Sequence, residues 1–345
     1  MTPPCRSAIH EFLPKTDPQF AMKIIRHFDN VPIALKGAVL ALGNFDGVHL
    51  GHQKVIGEAR RVAEELDVPL GVLVFEPHPR QYFAPDAPFF RLTPFRAKAR
   101  LLESLGVDLL VALPFDAAMA QRPAEEFVFD VLVHGLHATH VVAGYDFHFG
   151  KGRGGDAVAL AYFGEMEGFG VTIVAAARDG ETAISSTQVR ECLVAGKPRA
   201  AASLLGHWWS VEGHVQQGDQ RGRTIGFATA NLPLSDHVNP AFGVYAVLIE
   251  IEDGPHRGHY KGVANVGKRP TFNKGDVLLE VHILDFAGDI YGAHVSVCLI
   301  EFLRPEQKFD GLDSLKAQIA RDSDKARAVL ASLPDAPKAL MQHEP

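Results

Sequence analysis

The stretch "LALGNFDGVHLGHQKVI", residues 40–56, carries an apolar run through three glycines and two histidines into an amphipathic segment. Leu40, Ala41 and Leu42 read as the end of a buried strand. Beyond the glycines, Val55, Ile56, Ala59, Val62, Ala63 and Leu66 fall on one helical stripe. A strand feeding a helix through so short a loop opens a βα unit. Gly43 and Gly47 permit a tight turn, and Gly51 lets a phosphate approach the backbone at the helix start. The N–H groups and dipole there attract anions, and His49 and His52, one turn apart, add two donors to the same anion. The loop suits a polyphosphate. It lacks the lysine and the Ser/Thr of a P-loop, so it serves another phosphoryl chemistry.

The same grammar repeats outward to about residue 206. "AVLALGN", "LGVLVFE", "DLLVALPF", "THVVAG" and "VTIVAAA" are apolar without alternation, as strands covered on both faces are. Between them "HQKVIGEARRVAEELD", "PFRAKARLLESLG", "PAEEFVFDVLVHGL" and "DAVALAYFGEMEGF" have helical spacing. Buried strands alternating with helices predict a Rossmann-like, doubly wound parallel sheet, in which ligands bind beyond the carboxyl ends of the strands.

From Trp208 the pattern changes. "WWSVEGHVQQG", "ATANLPL", "GVYAVLIEIEDG", "GHYKGVANVG", "VLLEVHILDF" and "AHVSVCLIEFLRP" read as strands bounded by Gly, Asp and Pro turns. They predict a small antiparallel β-barrel, with a sandwich as the alternative. A C-terminal helix, "LDSLKAQIARDSDKARAVLASL", packs on it. The expected organisation is a loose N-terminal extension over 1–20, an α/β domain over 21–206, a barrel domain over 207–335 and a tail over 336–345.

The bulk numbers fit that division. A chain of 345 residues is long for one core. Apolar residues at 47% and charged residues at 22% describe a soluble globular protein. No apolar run approaches the roughly 18 residues of a membrane span. The first residues, "MTPPCRSAIHEFLPKTDPQF", have no apolar h-region and do not read as a signal peptide. Cys5, Cys192 and Cys298 are few and far apart, which fits a reducing cytoplasm rather than a disulfide framework. The net charge of −7 argues against binding nucleic acid. These features predict a cytoplasmic protein of small-molecule partners, binding neither nucleic acid nor membrane, as a monomer or weak homo-oligomer.

"GNFDGVHLGH" resembles the HxGH-type signature of the nucleotidyltransferase superfamily, and its flanks resemble one family, the bifunctional bacterial FAD synthetases. "FEPHP" at 75–79, "RLTPFRAKARLL" at 91–102, "GYDFHFGKGRGGD" at 144–156 and "ISSTQVRECLVAGKPRAAASLLG" at 184–206 are similar to blocks of that family, in family order. The resemblance implies an FMN adenylyltransferase domain in which the FMN phosphate attacks the α-phosphorus of ATP. His49 and His52 would hold ATP phosphates as charge builds on the pyrophosphate. Ser185, Ser186, Thr187 and Arg190 would take the β- and γ-phosphates, a role that suits a permanently charged, two-pronged guanidinium. Gly43, Asn44, Phe45, Asp46, Gly51 and Asp146 would complete the nucleotide site, with Asn44, Asp46 and Asp146 near metal, ribose or FMN.

The second half is similar to the riboflavin kinase module of the same family. The resemblance rests on "GHVQQGDQRGRTIGFATANL", "NVGKRPTFN", "LLEVHILDF" and "EFLRPEQKFDGLDSLKAQIARD". It implies Thr229 and Asn231 as Mg²⁺ and phosphate ligands and Glu280 as the base that takes the riboflavin 5′-hydroxyl proton. Gly218, Gly222 and Arg223 would shape the ATP loop. One departure stands out: the family pattern is "GFPTAN", and this chain has Ala228 in place of the proline. Losing that fixed φ should cost roughly 0.4–1 kcal/mol of loop order, which predicts a weakened kinase rather than an absent one.

The expected function is thus synthesis of FAD from riboflavin and two ATP through FMN, with Mg²⁺. Two alternatives stay open on the sequence: an FMN adenylyltransferase with a degenerate kinase module, and a non-catalytic flavin or nucleotide sensor. Two other motifs are set aside. "GKGRGG" at 150–155 satisfies G-x-G-x-x-G but follows a fourth strand rather than a first, and "GVANVGKR" continues into Arg269 and Pro270 where a P-loop needs Ser/Thr and a helix.

Overall fold

Val39–Leu42 lies inside a six-stranded parallel sheet in the computed structural model, which describes residues 22–29, 31–87, 90–216, 229–234, 237–268 and 277–333. The extension 1–20, the tail 336–345 and the positions Gly218, Gly222, Arg223 and Ala228 lie outside the described residues. The strands are β1 (Lys23–Ile25), β2 (Val39–Leu42), β3 (Leu70–Glu76), β4 (Leu109–Pro114), β5 (His140–Gly144) and β6 (Gly170–Val174), in the order β1-β4-β3-β2-β5-β6. The five strands read from the sequence are all present. β1 is an addition, pairing Lys23–Ile25 with Leu109–Val111 at the edge of the sheet. β2 stands between β3 and β5, so the chain turns to one side after it and to the other later. Its carboxyl end is therefore a switch point, where doubly wound sheets open a crevice.

Successive residues of each strand feed opposite cores. Val39, Ala41, Val72, Val74, Leu110 and Ala112 pack on helix α1 (Leu50–Leu66) and helix α2 (Phe95–Ser104), through Val55, Ile56, Ala59 and Leu102. Leu40, Leu42, Leu73, Val111 and Val141 pack on the other face, against Phe127, Val128, Val131, Leu132 and Leu160. The expected helix over 123–136 is there, but Phe127–Gly135 is π-helical, with Leu136 N–H donating to the Val131 carbonyl. Bonding from i to i+5 brings residues four and five apart to one face, as Phe127, Val131 and Leu132 require. Helix α3 (Ala157–Glu167) completes this layer.

The second sheet comprises β7 (Ser210–His214), β8 (Ala230–Pro233), β9 (Gly243–Ile251), β10 (Gly258–Lys268), β11 (Val277–Ile283) and β12 (His294–Pro305), in the order β8-β11-β10-β9-β12-β7. Every pairing is antiparallel, and a bridge from Gln216 to Asn231 joins the two ends of the order, so the sheet is a nearly closed barrel. Helix α6 (Leu312–Ala331) covers one face, burying Ala326 and Leu330 against Val244, Ala246, Ile300 and Leu303. Arg304 and the buried Asp322 tie helix to barrel, Nη2 donating to Oδ2 at 2.8 Å and Nε to Oδ1 at 3.1 Å.

By packing, the described chain forms two units, 22–87 with 95–184, and 90–94 with 185–333. Helix α4 (Ser186–Val194) and helix α5 (Pro198–Leu205) belong to the second.

Candidate active sites

The loop after β2 is held by its own apolar residues. Phe45 and Val48 are each 1% exposed, and both sit in the core with positive φ, 49° and 44°. Such a backbone is uncommon for side-chain-bearing residues and persists only where its surroundings over-determine it. Gly43 makes room for this, since a Cβ there would stand 3.2 Å from the Phe45 ring. The plugged loop then fixes Asp46 and His49, both buried.

His49 is the N-cap of α1. Its Nδ1 accepts the backbone N–H of His52 at 3.3 Å, a task usually given to Ser, Thr, Asp or Asn. An imidazole accepting at Nδ1 carries its proton at Nε2 when neutral, so the cap also sets which nitrogen can donate outward. The His52 ring stacks on His49 at 3.6 Å, with 17° between planes, and meets the Phe45 ring edge-on at 5.2 Å. Gly51 has a role beyond the one expected: a Cβ there would stand 3.0 Å from His49 Cε1, so glycine makes room for the capping ring.

Two supports of this loop have no counterpart in the sequence reading. Lys98 of α2 is 3% exposed, and its Nζ donates to the Asn44 carbonyl at 2.8 Å. Gln53 is equally buried and donates from Nε2 to the Val48 carbonyl at 2.9 Å. Asn44 keeps a buried Oδ1 that has no hydrogen-bond partner among the described residues. Asp146 follows β5, which neighbours β2, and is exposed.

Aromatic rings gather at the carboxyl ends of β3 and β4. Phe75, Tyr82 and Phe83 all approach Phe115, at 5.3, 5.4 and 5.7 Å between centroids, and Phe83 is 68% exposed. Tyr82 and Phe83 thus leave aromatic surface exposed beyond the carboxyl ends of these strands.

Helix α4 opens with Ser185 as N-cap in a capping box, its Oγ accepting Gln188 N–H at 3.4 Å while Gln188 Oε1 accepts Ser185 N–H at 3.0 Å. Ser186, Thr187 and Arg190 follow within its first two turns. Arg190 Nε donates to the Phe90 carbonyl at 2.6 Å. Burial raises the Cys192 thiol of the same helix above its ordinary range, so it stays neutral.

In the barrel, register assembles the second group. Asn231 on β8 lies directly opposite Glu280 on β11, and Glu280 lies opposite Asn265 on β10. Directly opposed residues share a face, with Cβ atoms about 4.5–5.5 Å apart. Thr229 lies just ahead of β8, two residues before Asn231. Asn231 is 5% exposed, and its Oδ1 has no hydrogen-bond partner among the described residues. Asn265, absent from the sequence reading, donates from Nδ2 to Glu306 Oε1 at 3.4 Å. Gly267 leaves the space, because a Cβ there would meet that oxygen. The structure thus brings Asn231, Glu280 and Asn265 into one row.

Known proteins match both halves. Residues 32–188 match the family described as FAD synthetase, and residues 205–330 the family described as riboflavin kinase. The bifunctional riboflavin kinase/FMN adenylyltransferase of Escherichia coli strain K12 is 44% identical over 308 residues, covering 89% of this chain and 97% of that protein. The chain belongs to the bifunctional riboflavin kinase/FMN adenylyltransferase family. The Haemophilus influenzae member of this bifunctional riboflavin kinase/FMN adenylyltransferase family is 41% identical over 311 residues, or 90% of this chain and all 100% of that one. A crystal structure from Streptococcus pneumoniae, described as a macrolide-efflux protein, superposes with a TM-score of 0.78 at 33% identity, covering 89% of this chain and 99% of that one. Efflux is that protein's description. Among the described residues here no helix is long and apolar enough to cross a membrane.

Proposed function

We propose that this chain makes FAD in two steps, phosphorylating riboflavin to FMN and then adenylylating FMN with release of pyrophosphate. The observation that carries the reading is that one chain holds both sets of groups, each in its own fold: the histidine-capped helix at the switch point and the Asn231–Glu280–Asn265 row of the barrel. Functionally we divide the chain into an adenylyltransferase module over 21–206 and a kinase module over 207–335. We place it in the cytoplasm as a monomer or weak homo-oligomer, without a nucleic-acid partner, in keeping with its net charge of −7.

In the kinase step the riboflavin 5′-oxygen bonds to the γ-phosphorus of ATP, ADP leaves, and Glu280 takes the hydroxyl proton. Thr229 and Asn231 would hold Mg²⁺. A hydroxyl and a buried carbonyl oxygen suit a hard cation that takes one or two protein ligands and completes its shell with phosphates and water. Bound there, Mg²⁺ would neutralise charge on the transferring phosphoryl group.

In the second step an FMN phosphate oxygen bonds to the α-phosphorus of ATP and the bond to the pyrophosphate oxygen breaks. No covalent enzyme intermediate is needed, so positioning and electrostatic stabilisation do the catalysis. His49, protonated at Nε2, and His52 donate to the phosphates beside the positive end of α1. Ser186, Thr187 and Arg190, with the capping Ser185, serve the β- and γ-phosphates. The flavin ring packs on Tyr82, Phe83 and Phe115.

A chromatographic time course with purified protein, riboflavin, ATP and Mg²⁺ tests the whole reading. FMN should rise and then give way to FAD. If only added FMN is converted, the kinase module is degenerate. If neither flavin changes in folded protein, catalysis is refuted and the sensor alternative takes its place.

A narrower prediction concerns Gly51. Alanine favours a helix by about 0.5–1 kcal/mol over glycine, so Gly51→Ala should not lower the melting temperature. Its Cβ would crowd the His49 ring at 3.0 Å. Relieving that contact shifts the ring by a few tenths of an ångström, which should reduce FAD formation by up to about tenfold and leave FMN formation intact. An unchanged FAD rate would mean the ring can move without cost.

A further inference from the structure

Residues 90–94 pack in the second unit, although the sequence on either side, 31–87 and 95–184, forms the first. Three successive carbonyls of this strap are each held by a different part of the second unit. The Phe90 carbonyl accepts from Arg190 Nε at 2.6 Å, the Arg91 carbonyl from the Val238 N–H at 2.8 Å, and the Leu92 carbonyl from Trp209 Nε1 at 2.8 Å. The strap is deeply set. Leu92 is 0% exposed, Trp209 1%, Thr93 6% and Phe90 8%. The Arg190 guanidinium also lies over the Phe90 ring, 5.3 Å from its centroid.

A guanidinium bonded at Nε and resting on a ring is held in one plane, which fixes the direction of its Nη groups. The Phe90 carbonyl is itself fixed only as well as the strap is. Trp209 anchors the strap two carbonyls away, immediately before β7 of the kinase barrel.

We infer that Trp209 is a positioning residue for adenylyl transfer, acting through the 90–94 strap to aim Arg190. The inference rests on the reading above that Arg190 binds ATP phosphates. It makes the first residues of the kinase module part of the other activity's apparatus. Conservative changes at Trp209 should therefore act on the reaction that the barrel does not perform.

The test uses the full-length protein with Mg²⁺ and compares two activities in each variant: adenylylation of FMN, as kcat and the KM for ATP, and phosphorylation of riboflavin, as kcat/KM. Arg190→Lys should raise the ATP KM of adenylylation about tenfold or more, as loss of a charged bidentate contact does. Trp209→Phe keeps a buried aromatic and removes only the donor. It should raise that KM about three- to tenfold and leave the kinase within about twofold of wild type. A merely structural role would fall first on the kinase, because Trp209 abuts its strand β7. A parallel loss of both activities would therefore overturn the inference. So would an unchanged ATP KM in Trp209→Phe when Arg190→Lys shows its effect, and then the reading of Arg190 would stand alone. An Arg190→Lys variant with normal adenylylation would instead remove that reading and the inference with it. Should Trp209→Phe not fold, Trp209→Tyr, which also lacks the indole N–H, carries the same comparison.

Discussion

His52→Ala is expected to reduce FAD formation from FMN and ATP by about 10²–10³-fold, the usual cost of removing one donor from charge that develops during the reaction. Phosphorylation of riboflavin should continue at the wild-type rate, so FMN accumulates. The fold should survive for an identifiable reason. The bond that caps α1 uses the backbone N–H of residue 52, which alanine retains, and alanine is a good helix former. What is lost is the ring stacked 3.6 Å from His49 and edge-on to Phe45. Chromatography of the flavins and a melting curve on the same preparation decide it. Equal loss of both activities in folded protein would contradict separate sites, and an unaffected FAD rate would remove His52 from the chemistry.

The layer structure was legible because buried parallel strands are written as uninterrupted apolar runs. β6, an edge strand of which only Val174 is buried, is still mostly apolar, and β2 to β5 obey that rule. β1 does not. Its three residues are mostly exposed, and only the backbone ladder to β4 makes them a strand. The two histidines were legible as candidates for phosphate contact, but His49 was not legible as a cap. Capping by Nδ1 depends on a ring orientation that spacing does not encode. Lys98 was hidden for a related reason: a lysine in the amphipathic "FRAKARLLES" reads as solvated until the fold brings the Asn44 carbonyl to it. Ser185 could have been read further, because Ser-x-x-Gln ahead of an apolar pattern is a capping box. Asn265 could not, since its place beside Glu280 follows from strand register over fifteen residues of chain, and register is set by the whole barrel.

Glu280→Gln should produce the mirror image of the His52 variant. The amide keeps the volume and planar shape of the carboxylate, and the strand pairing of β11 with β8 and β10 runs through the backbone, so the barrel should remain folded. The side chain loses its capacity to take the riboflavin hydroxyl proton. General-base catalysis contributes about 10²–10⁴-fold, and FMN formation should fall by that factor. Supplied FMN should still become FAD at the wild-type rate. The placement of Glu280 between Asn231 and Asn265 sharpens the expectation. Directly opposed residues share a face, so Asn231 and Asn265 bring two further polar side chains to the position that Glu280 would serve. A Glu280→Gln protein that phosphorylates riboflavin normally would therefore show that the row is only packing, and that the base lies elsewhere in the kinase module.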